Sequence, residues 1–149
     1  MTISGIGLIA LAVGTTNPYF KIRVVDAATG RGVPLVELRT VNGIRSVTDS
    51  HGLVAFNEPG LMGREAFFHL TSPGYEGEAD PFGYRGVALI PKAGGTATVR
   101  LTRRNVAERL CRLTGQGIYR DTLLLGERAP LKHPVLNGGV LGQDTAQAE

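Results

Sequence analysis

Residues 20–30 read Phe-Lys-Ile-Arg-Val-Val-Asp-Ala-Ala-Thr-Gly, and this stretch decides the fold. Phe20, Ile22 and Val24 alternate with Lys21, Arg23 and Val25, the two-residue period of a half-buried strand. Asp26-Ala-Ala-Thr-Gly30 then supplies turn chemistry, so the strand ends there.

The same pattern repeats outward from it. Leu35–Val41 is expected as a strand, with Val36 and Leu38 facing away from Glu37 and Arg39. Asn42-Gly43 signals a two-residue hairpin, because both residue types tolerate positive φ, and it leads into Ile44–Thr48. Asp49-Ser-His-Gly52 is a turn before Leu53–Asn57. Glu65–Ser72 places Ala66, Phe68 and Leu70 on one face, and Ser72-Pro-Gly-Tyr75 closes it as a type II turn. Gly86–Ile90 is a short strand. Ala97, Val99 and Leu101 then alternate with Thr96, Thr98, Arg100 and Thr102. Together these predict an all-β fold, a seven-stranded antiparallel β-sandwich.

Composition agrees with one domain carrying an extension. The chain has 149 residues, 42% of them hydrophobic and 19% charged, which describes a globular chain with a real core. Its 21 glycines and 8 prolines suit short strands joined by tight turns.

At residue 105 the pattern changes. Asn105-Val-Ala-Glu108 reads as a capping box, with Val106, Leu110 and Leu113 on one helical face and Gly115 as the stop. One helix of about ten residues is expected, and Gln116–Glu149 is expected as an irregular, extended tail. The layout is an apolar N-terminal segment at 1–19, a sandwich at 20–102, and a helix plus tail at 103–149.

The run Ile6–Val13 (Ile-Gly-Leu-Ile-Ala-Leu-Ala-Val) has three readings. It is as long as a minimal secretion-signal core, with Ala10-Leu11-Ala12 as a cleavage motif, although no Lys or Arg precedes it. It also suits a buried first strand, or an arm pairing with another subunit through Ile6, Leu8, Ile9, Leu11 and Val13. It is too short to span a membrane, which takes about 20 residues.

The motifs carry a resemblance. Val24-Val-Asp26-Ala-Ala-Thr-Gly30, then Val33-Pro34-Leu35, then Thr48-Asp49-Ser-His-Gly52-Leu-Val-Ala-Phe56, then Pro73-Gly74-Tyr75 follow one another in order. This series resembles the carboxypeptidase regulatory-like domains, whose pattern runs V-x-D-x-x-T-G-x-P-L, T-D-x-x-G-x-F and P-G-Y. The resemblance covers about residues 20–102 and implies a transthyretin-like (prealbumin-like, broadly immunoglobulin-like) sandwich. It implies a non-catalytic appendage of exported proteins, hence an extracellular or periplasmic location. Arg31-Gly32-Val33 is an insertion relative to that pattern, and the aromatic after Gly52 is displaced to Phe56.

Asn105–Asp121, with Leu136-Asn-Gly and Gly142-Gln-Asp144, is similar to the linker that precedes a β-propeller in large exported bacterial proteins, some of them carbohydrate-active. That resemblance implies a fragment or a split domain, and no catalytic residue of a propeller is present to carry over.

Catalytic and metal chemistry find no pattern here, so no cofactor and no enzymatic activity are expected. His51, His69 and His133 lack ligand spacing, and Cys111 is the only cysteine. Tyr84-Arg85-Gly86 resembles the Y-R-G-S ending of transthyretin-like ureide hydrolases, but Val87 replaces the serine and the motif lies in mid-chain. Net charge is +3, all of it from residues 100–149, where Arg100, Arg103, Arg104, Arg109 and Arg112 cluster. No aromatic falls between Arg85 and Tyr119, so these arginines read as solvated and not as a nucleic-acid site.

Two surfaces remain. Tyr75, Phe82 and Tyr84 surround an acidic loop with Glu76, Glu78 and Asp80, a combination suited to sugars and, more weakly, to Ca²⁺. Arg109, Arg112 and Tyr119, with the apolar arm, are candidate docking residues. The expected function is a non-catalytic accessory module that docks another protein domain or further copies of itself. The alternatives are a carbohydrate-binding module and a self-assembling subunit that exchanges terminal strands.

Overall fold

The computed structural model describes residues 17–106 and 118–131. Eight strands and one short helix follow in order: β1 (Phe20–Asp26), β2 (Glu37–Thr40), β3 (Arg45–Val47), β4 (Leu53–Phe56), β5 (Ala66–Thr71), β6 (Tyr75–Glu76), β7 (Gly86–Leu89), β8 (Thr96–Arg103) and α1 (Arg120–Leu124). They make two four-stranded sheets, ordered β4-β1-β8-β6 and β3-β2-β5-β7.

The sheets meet over the apolar faces that alternation singles out. Ile22 and Val24 of β1, Val99 and Leu101 of β8, and Val54 and Phe56 of β4 share one core with Leu38 of β2 and Ala66 and Phe68 of β5. The Phe56 and Phe68 rings meet edge to face across the layers, with centroids 5.1 Å apart. Truncating a ring placed like Phe68 costs about 3–5 kcal/mol. Val25, expected on the polar face, is buried as well, so the end of β1 is covered on both faces.

Three expectations are corrected. The strands number eight, because Tyr75–Glu76 pairs with β8 through Tyr75↔Arg103 and Glu76↔Thr102. Two residues are too few to display a period. The sheets are not wholly antiparallel either: β1 and β8 run parallel from Lys21↔Thr96 to Asp26↔Leu101. Parallel neighbours need a long crossover, and here all the chain between them makes it, so no local signal marks the pair. Finally, the hairpin turn between Thr40 and Ile44 has three residues, not two. Thr40 N donates to Ile44 O and Gly43 N to Thr40 O, both at 2.9 Å. Only Gly43 has positive φ there, +85°, whereas Asn42 does not; this is a type I turn with a glycine bulge.

The quoted motifs are the joints between loops. Asp26 Oδ1 accepts the Ala28 and Thr29 amides, at 2.8 and 3.0 Å, which builds the first turn. Thr48 Oγ1 donates to Val33 O at 2.8 Å and accepts Val36 N at 2.9 Å, pinning the inserted loop. Gly52, with φ +79°, lies so close to β1 that an added Cβ would stand 2.6 Å from Val24 O.

Of the helix expected from Asn105, only Asn105 and Val106 belong to the described residues. They form a bend, with Val106 fully exposed; the rest of that expectation, with Arg109 and Arg112, lies outside. The extended tail is corrected at Arg120–Leu124, which is helical and packs on β4. Its five residues are too short for an apolar period to show. Ile6–Val13 lies outside the described residues, and no helix among those described is long and apolar enough to cross a membrane.

Candidate functional site

The loop singled out from sequence separates into two parts. Tyr75 turns inward: it packs against the core, and its hydroxyl bonds the Asp26 carboxylate. Glu76 accepts Arg104 Nε at 2.8 Å and has Arg85 Nη1 at 3.4 Å, which hold its carboxyl below the usual range. Glu78 is exposed. Asp80 is a turn-former: its Oδ1 accepts the amides of Phe82 (2.9 Å) and Tyr84 (2.8 Å). The turn is closed by Asp80 N to Tyr84 O and Gly83 N to Asp80 O, each 2.9 Å. Glu76 and Asp80 are therefore occupied by arginines and backbone amides, and Glu78 points to solvent, so the three are not gathered toward a cation.

Phe82 and Tyr84 stay outside, 85% and 58% exposed. Tyr84 continues the outward face of β7, and its ring lies 6.1 Å from that of His69 on β5, which is 4.9 Å from Phe67. The outer face of the β3-β2-β5-β7 sheet thus carries an aromatic row. Its sequence signal was available: Phe67 and His69 occupy the face opposite Ala66, Phe68 and Leu70. His51, by contrast, sits in the Asp49–Gly52 turn, away from β5.

A second constellation joins residues far apart in the sequence. Strand β4 is a sheet edge, and both of its outward amides end on carboxylates: Leu53 N on Asp49 Oδ1 at 3.1 Å and Ala55 N on Asp121 Oδ2 at 2.9 Å. Asp49 Oδ2 also accepts the amide and hydroxyl of buried Thr122. Desolvation raises the Asp121 pKa, and the nearby Asp49 charge adds to this. Asn17 Nδ2 donates to Leu124 O at 3.1 Å, and Lys21 pairs with Glu127 at 2.8 Å. Tyr119 is half-buried at the start of α1, where its carbonyl accepts Leu123 N at 3.0 Å. The strap from Ile118 to Leu131 is thereby fastened to β4 and β1. Leu35 projects beside it, 65% exposed with φ +59°.

Neither a family model nor a curated protein matches this chain.

Proposed function

We propose that this chain is a non-catalytic accessory module, a transthyretin-like β-sandwich of an exported multidomain protein, which holds the polypeptide beyond its last strand in a fixed position for docking. The supporting observation is the strap. Asp49 and Asp121 bind it through backbone amides on both sides, so helix α1 is latched to the edge of β4. An edge covered in this way cannot accept a stray strand, which directs association to other surfaces. The structural use of Asp26, Asp49, Asp80 and Asp121, each bonded to backbone N–H groups, also favours scaffold over catalyst.

Electron-electron distance measurement tests the proposal. In a Cys111→Ser background, spin labels at Arg45 and Ala129 should give one narrow distance distribution, and Thr122→Val should broaden it. A broad distribution in the starting protein would overturn the reading.

A further inference from the structure

We propose that the outer face of the β3-β2-β5-β7 sheet binds an anionic glycan, its sugar faces stacking on Phe67, Tyr84 and Phe82 and its carboxylates meeting Arg39. This surface lies apart from the strap, so it stands or falls independently of the docking function.

The face is built for rings. Gly86 on β7 has no Cβ, and one placed there would lie 2.5 Å from Cε1 and Cζ of Phe67. The missing side chain lets the Phe67 ring lie across β7. Ala88 stands opposite Phe67, so the floor beside the ring stays shallow. His69, paired with Gly86, touches the rings on both sides. Tyr84 is held at the end of the row by the turn that Asp80 pins, and the same turn carries the exposed Phe82.

Charge selects the ligand class. Arg39 faces His69 across β2–β5 and Arg45 across β2–β3. Arg39 is exposed and forms no ion pair among the described residues, while Arg45 lies 4.0 Å from Glu37. The outward side chains of β2, β5 and β7 include no Leu, Ile or Val; the exposed Val41, Val47 and Ile90 lie on β3 or just beyond the ends of β2 and β7. Sugars match these rings, with C–H faces for the aromatics and hydroxyls for the imidazole. A nucleic-acid strand would need a basic track for successive phosphates. Arg39 stands exposed across from His69, where it can pair with a carboxylate of a uronate whose ring stacks on the neighbouring aromatics.

Titration calorimetry of the full chain with an oligogalacturonate, a neutral xylo-oligosaccharide, oligo-thymidylate and polyglutamate decides the matter. The oligogalacturonate should bind best and weaken with salt. Tyr84→Ala, Phe82→Ala and Arg39→Ala should each weaken it at least about fivefold without changing the melting temperature. Amide shifts at Phe67 and His69 on titration provide a readout independent of any variant. No oligogalacturonate binding, binding untouched by all three variants, or tighter binding of oligo-thymidylate or polyglutamate at this face would each overturn the proposal.

Discussion

The Asp121 carboxylate accepts the backbone N–H of Ala55 at 2.9 Å, joining residues 66 positions apart and closing the outer edge of β4. An amide at a sheet edge is ordinarily satisfied by water; here a side chain from α1 takes that place, so helix and edge stabilise each other.

Asp121→Ala leaves the Ala55 N–H beneath the strap without its acceptor and should cost about 1–3 kcal/mol. Asp121→Asn keeps an oxygen acceptor and should stay within about 1 kcal/mol of the parent. Urea unfolding of both variants checks this. Equal losses would mean that the charge, and not the hydrogen bond, holds the strap.

Two aspartates should make opposite contributions to stability in acid. Burial, with Asp49 nearby and against the opposing effects of the Ala55 amide and Arg120, raises the Asp121 pKa. The folded state therefore takes up this proton first. As pH falls through the window between the raised folded value and the ordinary aspartate value, Asp121 adds stability. Asp26 behaves in the reverse sense. The Thr29 amide, followed by Ala28 and Tyr75, lowers its pKa despite desolvation. Its contribution is complete above the ordinary value and disappears as pH falls toward the depressed one. Urea titrations across the acid range should show the parent gaining on Asp121→Asn and losing to Asp26→Asn as pH drops. The same trend for both variants would contradict the assignment.

Backbone conformation separates two further substitutions. Leu35 holds φ +59° with its side chain mostly in water, so Leu35→Asn should stabilise by about 0.5–1 kcal/mol, because Asn tolerates the left-handed region. Gly52→Ala adds a Cβ at φ +79° against the Val24 carbonyl and should lose more than about 2 kcal/mol. Thermal melts should move in opposite directions; a stable Gly52→Ala protein would show that the loop yields.

The aromatic site was half legible. Phe82 and Tyr84 could be named because a Gly/Pro-rich loop keeps its rings out of any period. Tyr75 lies near them in sequence, yet it belongs to β6, in the same sheet as β1, and its hydroxyl bonds Asp26 there. Phe67 and His69 join the site through β5–β7 pairing, which brings Gly86 and Tyr84 alongside them.

The sequence alone determined the strands from Phe20 to Arg103 that are long enough to alternate, since side chains on a strand must divide between core and water with a period of two. It also determined the turns at Asp26 and Asp49, where a carboxylate bonds amides two to four positions away. The tertiary structure decided the rest. The parallel β1–β8 pair, the two-residue β6, and the strap that Asp49 and Asp121 fasten to β4 depend on groups dozens of positions apart. Their bonds exist only after the chain has folded, and residues so distant leave no periodicity by which a sequence could announce them.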